Sequence, residues 1–223
     1  MKNEKRFRSI IRFSAWLIII ASIIGIGAFL LINSIAPQPA WVDVDTFLSN
    51  YKPIQSIPPL SGFVLIAGFI LFVSASYVFM EEKDKPFGIA AIVFATLGAI
   101  MTITNYMIQS CYIPNNLELN KDVISVLAMT NPKSLCWVFE MFGYAFISVG
   151  MWLVSPAYKN ILVRNLMALN GIMCIAGAVI TVFKLSWVLS GAGYVCYGLW
   201  SVLVVVIMAL IVFSKSGIKR RVR

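Results

Sequence analysis

Of the 223 residues, 60% are hydrophobic and 12% are charged, about half the charged share of an ordinary soluble domain. The net charge is +9, and there are four cysteines without a CxxC pair and no histidine. This composition argues against an ordinary soluble domain, which the length of the apolar runs then settles, and against zinc, bis-histidine haem and histidine acid–base chemistry. A membrane span needs about 20 mostly apolar residues, and the sequence offers six such runs, near 13–35, 60–80, 87–110, 135–154, 162–183 and 190–213. They do not alternate as barrel strands would, and their connections are too short for a separate soluble domain. The expected fold is a single all-α, six-span membrane bundle, 1–223.

The basic residues give the direction. With six spans both tails share one side, which receives Lys2, Lys5, Arg6, Arg8, Arg12, Lys83, Lys85, Lys159, Arg164, Lys215, Lys219, Arg220, Arg221 and Arg223, 14 of the 18. The other side has Lys52, Lys121, Lys133 and Lys184. The positive-inside rule then puts both termini in the cytoplasm, with the plasma membrane as the expected location. The excess charge is read as a topology signal, not a nucleic-acid surface, with anionic lipid headgroups as secondary partners of the C-terminal cluster.

The N-terminal charges and the Ser34-Ile35-Ala36 stretch imitate a secretory signal. The apolar run exceeds a signal core, and Pro37 would follow the cut, so a retained first span is expected. Ser14, Ala21, Gly25 and Ala28 give that span a small face for close packing. In the first outer loop, Asp43 is placed to cap a short helix through about Tyr51, and Pro53, Pro58 and Pro59 interrupt helix before span two. Glu81 to Lys85 form a tight charged cytoplasmic turn, and Pro86 suits the first turn of span three.

Span three carries the clearest pattern. Gly88, Ala91, Ala95, Gly98, Thr102, Asn105 and Gln109 recur at spacings of three and four and so share one face. The small half predicts close helix packing; the polar half lies in the outer part of the membrane. In the second outer loop, Pro114 and Asn115-Asn116 break helix and Lys121 to Met129 read as a short surface helix. Cys111 and Cys136 fall at the outer ends of spans three and four, where a disulfide is conceivable in an oxidising compartment and two free thiols are the favoured reading.

Span four contains Glu140, the one acid well inside an apolar run. If the helix enters near Ser134, the rise per residue puts Glu140 roughly 9 Å deep. An ionised side chain at the centre of a span costs about 3 kcal/mol on insertion scales. Staying protonated, or meeting a donor or a cation, avoids that cost, so the acid is expected to face other helices. Cys136, Glu140 and Gly143 share a face in span four; Asn170, Cys174, Gly177, Thr181 and Lys184 share one in span five. The long stem of Lys184 can reach along its helix toward Glu140. In span six, Tyr194, Tyr197 and Trp200 are expected in an outer aromatic belt.

These positions define the expected site: Glu140, Asn105, Gln109, Tyr144, Thr181 and Lys184 converging in the outer halves of spans three to five. Gly88, Ala91, Ala95, Gly98, Gly143 and Gly177 are expected at helix contacts. The favoured function is binding of membrane lipid or another small amphipathic molecule in this outer polar pocket. Transport is weakened by the lack of proline-broken helices in spans three to five. The alternative is a non-catalytic structural or regulatory subunit, in which the same residues only lock helices together, with a membrane protein or a second copy as partner. No catalytic constellation is recognisable, and no cofactor, metal or nucleic acid is expected.

Overall fold

A computed structural model of the chain describes residues 2–37, 40–118, 120–183, 190–213 and 218–219. Its long helices follow the apolar runs: α1 (Lys2–Ile35), α3 (Pro58–Tyr77), α4 (Lys85–Met107), α6 (Leu135–Leu153), α7 (Ile161–Phe183) and α8 (Gly191–Phe213). With their short flanking turns, these six are long and apolar enough to cross a membrane. Two short helices, α2 (Val44–Asn50) and α5 (Lys121–Leu127), lie in the two large loops. The chain is an all-α membrane bundle.

The helix starts follow local chemistry. The Asp43 carboxylate accepts from Thr46 N–H at 2.7 Å to cap α2, Asn120 Oδ1 accepts from Asp122 N–H at 2.9 Å to cap α5, and Ser134 Oγ accepts from Trp137 N–H at 3.0 Å to cap α6. Pro58 opens α3 instead of holding helix off, because the first helical position needs no amide donor. The second surface helix ends at Leu127, two residues short of expectation. Beyond Met107, α4 passes into a π-helical turn, Ile108–Tyr112.

Around the bundle, α1 packs on α3, α3 on α4, α4 on α6, α6 on α7, α7 on α8, and α8 returns to α1, so sequence neighbours are space neighbours and the ring closes. The α4–α6 and α1–α3 seams are the most extensive, and the α7–α8 seam is the sparsest of the six. Along α4–α6, small residues interleave. A methyl on Gly98 would stand 2.5 Å from the Gly143 carbonyl oxygen, and one on Gly150 would stand 2.8 Å from that of Ala91. Ala91 and Ala95 are buried there, Gly143 meets Thr102, and Gly88 meets Tyr77 and Met80 at the end of α3. Gly177 departs from the packing expectation, since a methyl there would meet nothing within 4 Å.

On one side, here the loop side, α2 and α5 pack together over Phe47, Ile113, Ile124 and Ala128, and Lys121 pairs with Asp45. On the other, the terminal side, residues 218 and 219 are tied to three separate segments. The Arg8 guanidinium donates to the carbonyls of Ile218 (3.2 Å) and Lys219 (2.7 Å) while lying over the Phe79 ring. Lys219 N–H donates to the Ala157 carbonyl at 2.9 Å, and its ammonium donates to Glu81 at 2.7 Å. With Lys219 and then Lys83 beside it, the Glu81 carboxyl is held below the usual carboxylate range.

Candidate functional site

The α4 and α6 polar residues meet because each pair repeats every four positions, one turn apart on a single helix face. Asn105 comes from α4 and Gln109 from the π-helical turn that continues it; Glu140 and Tyr144 come from α6. Asn105 Nδ2 donates to Glu140 Oε2 at 2.9 Å, and the Tyr106 hydroxyl donates to Oε1 at 3.2 Å. A hydroxyl has one proton to give. The 2.5 Å contact between Tyr106 and Tyr144 is therefore filled by Tyr144 donating. On the other arm, Gln109 Nε2 donates to Asn105 Oδ1 at 3.2 Å and to the Leu127 carbonyl at 2.9 Å, while Met129 N–H donates to Gln109 Oε1 at 3.1 Å. Both arms run donor to acceptor and end on Glu140.

The magnitudes fit a buried acid without a cation. Hydrogen bonds to a charged group contribute about 1.5–3 kcal/mol each, and two of them are of the size that offsets an intramembrane charge of about 3 kcal/mol. Among the described residues no lysine or arginine pairs with Glu140, whose exposure is 8%. Lys184, the expected partner, lies outside the described residues. Thr181 is buried but its hydroxyl donates to Gly177 of its own helix at 2.9 Å, so it is no part of the knot. Asn170 is fully buried with neither amide atom partnered.

Tyr106 is the member that periodicity missed. It lies one residue past Asn105, on the equally regular track Thr102, Tyr106, Gln109. Gly62 of α3 makes its room, because a methyl there would run into the Tyr106 ring. The cysteines are free, Cys111 exposed and Cys136 buried, which leaves no Cys111–Cys136 disulfide. Among the described residues no group of histidine, cysteine or acidic side chains is arranged to hold a metal ion.

The open space lies elsewhere than expected. The knot residues of α4 and α6 bond directly to one another, and an apolar cleft of about 90 Å³ opens instead between α6, α7 and α8. Met141, Tyr144, Cys174, Gly177, Tyr197 and Trp200 line it. Tyr197 and Trp200 therefore point inward and not to a belt: Tyr197 donates its hydroxyl to Met141 Sδ at 3.2 Å, and Trp200 meets the Tyr144 ring edge-on at 4.8 Å between centroids. Tyr144 is the shared member, bounding the cleft with its ring and the knot with its hydroxyl. The chain matches no protein-family model, no curated protein and no solved structure.

Proposed function

We propose that this membrane protein is non-catalytic and takes one apolar chain, of the acyl-tail kind, into the cleft between α6, α7 and α8. The observation that carries this reading is the open space in front of Gly177, at membrane depth and lined without a charged side chain. Drug-sized ligands fill roughly 300–1,000 Å³, so a cleft of about 90 Å³ suits a slender segment instead. In this reading the knot around Glu140 is the rigid wall that fixes Tyr144, and Asn105, Gln109 and Glu140 do not touch the ligand. The 14-to-4 division of basic residues supports an arrangement with the terminal side in the cytoplasm of a cell's plasma membrane.

The test uses Trp200 as a reporter in lipid bilayers whose acyl chains carry bromine, a short-range fluorescence quencher. Quenching lost in Trp200→Phe identifies the Trp200 signal, and Gly177→Leu, which fills the cleft, should shield it. Equal Trp200 quenching with and without Gly177→Leu would defeat the reading. The structural-subunit alternative is favoured by one observation of its own, that both arms of the Glu140 knot close on protein acceptors. It expects Glu140→Gln to change stability alone and Gly177→Leu to change nothing at Trp200.

A further inference from the structure

The packing of α8 differs along its length. On the terminal-side half, Val204, Ile207, Met208 and Ile211 are all buried, and Phe213 meets Trp16 of α1 edge-on. The contacts that grip Ile218 and Lys219 hold the chain just beyond. On the loop-side half no described side chain from Val195 to Leu203 is buried, and Gly191 and Gly198 face nothing within 4 Å. Its neighbours are bare at the same level: Gly27, Leu30 and Leu31 of α1, and Gly177, Val179 and Phe183 of α7. The ring is closed on the terminal side and, at the cleft against α6 and α7, parted on the loop side.

Resistance to movement follows from this. A helix is held by the apolar area it buries and by close contacts, and local opening is cheapest where those are few. On the parted half, the edge-on packing of Trp200 against Tyr144 and one side-chain hydrogen bond among the described contacts, the hydroxyl-to-thioether contact of Tyr197 with Met141, cross the cleft. Such a bond is weak, because a thioether is a poor acceptor.

We propose that α8 is the lateral gate of the cleft: its loop-side half swings away from α6 and α7 about a fulcrum at Val204–Ile211, admitting a lipid chain sideways from the bilayer. This rests on the acyl-chain reading above. Tyr197 is the latch, since its movement breaks the one cross-cleft bond and opens the space before Gly177. An apolar ligand that enters from the hydrocarbon never crosses the polar cap of α2 and α5.

Two measurements test the gate. The first is amide exchange in nanodiscs, which needs no ligand. Residues 195–201 of α8 and 62–68 of α3 lie at equal distances from their helix starts on the loop side, so water access is matched. The α8 peptide should exchange at least about ten-fold faster, while 204–211 should be protected like the α3 core. Equal protection of 195–201 and 62–68 would overturn the gate, and equally fast exchange along all of α8 would overturn the fulcrum.

The second measurement tethers the gate. In a chain with Cys111, Cys136, Cys174 and Cys196 replaced by serine, Met141→Cys and Tyr197→Cys are bridged by a short bis-methanethiosulfonate, each thiolate displacing a methanesulfinate to form one reducible disulfide. Their native side chains meet tip to tip, so the linker replaces a span that already exists. The bridged protein should lose the Gly177-sensitive quenching of Trp200, and reduction should restore it. A one-armed reagent on both thiols, filling similar volume, should leave quenching in place. Uptake that survives complete bridging would overturn the gate while leaving the acyl-chain reading intact. Absence of Gly177-sensitive quenching in the unbridged variant would instead remove the ligand.

Discussion

Gly98→Ala adds one methyl group to the tightest seam of the bundle. The added carbon would lie 2.5 Å from the Gly143 carbonyl oxygen and 2.9 Å from the Ile147 amide nitrogen, where ordinary contact begins at 3.4 Å. The shortfall is about 0.9 Å, and the obstacles are backbone atoms, so α4 and α6 must part by nearly that distance. A gap of 0.5–1 Å forfeits about a quarter to a half of each dispersion contact along the seam, and overpacking typically costs about 1–3 kcal/mol. Alanine is the better helix former by about 1 kcal/mol, which offsets part of the loss. The expected net destabilisation is about 0–2 kcal/mol and toward the upper end because backbone must move, read as a lower unfolding midpoint in detergent micelles. Gly177→Ala is the matched control: it gains the same propensity and meets nothing, so it should be neutral or stabilising. Gly98→Ala and Gly177→Ala unfolding alike would refute the claim that α4 and α6 touch through their backbones.

Four further outcomes are expected. Tyr106→Phe removes the donor to Glu140 Oε1 and the acceptor of the Tyr144 proton; it should cost about 1–3 kcal/mol by the usual penalty for orphaning buried partners, and a stability equal to wild type in the same micelles would count against the knot. Asn170→Leu replaces two unpartnered buried amide atoms and should raise the unfolding midpoint; a fall would mean that the amide is satisfied in the membrane. The Glu81 carboxyl is held below its ordinary 4.5 by Lys219, so its contribution is fully present above that pH and is lost as pH falls through the depressed value. The Lys219 amide, bonded to the Ala157 carbonyl, should lose its protection from exchange, relative to the intrinsic rate at each pH, only as pH drops below about 4.5, and in Glu81→Gln it should be unprotected at neutral pH; unchanged protection throughout would dismiss the tie. If the terminal side is cytoplasmic, a membrane-impermeant thiol reagent added to whole cells should label Asn116→Cys and spare Asp84→Cys, each in a chain whose four native cysteines are serine because Cys111 is exposed, and the reverse pattern would invert the topology.

The bundle and much of the knot were legible because each depends on one period. Six runs of sufficient length define the spans, and the three-and-four spacing aligned Asn105 with Gln109 and placed Glu140 inward. Tyr106 was not legible because a helix has two tracks of equal regularity through Thr102 and Gln109, and the choice between them is made by Gly62 on another helix. The cleft was hidden for a related reason. Glycine at helical spacing reads identically at Gly98, where backbones touch, and at Gly177, where nothing does. Only the order of helices around the ring distinguishes them. The expected pocket was placed where polar groups are densest, but polar groups that satisfy one another leave no space, and the space remained where side chains are smallest.

The contact of Arg8 with residues 218 and 219 has a consequence for how the polypeptide can be cut and rejoined. The first and last spans are neighbours in the ring, and both approach that contact from the same side of the membrane. A short linker could run from Lys219 to the first turns of α1 beside it, and new ends could be opened in the 77–85 turn, which lies on that side too. The permuted chain would begin with α4 and finish with α3, crossing the bilayer the same number of times with every helix in its original direction. During synthesis of the natural order, α1 must wait for the final span before its second flank is covered. In the permuted order α1 would follow α8 directly, and that pair would assemble as an adjacent hairpin.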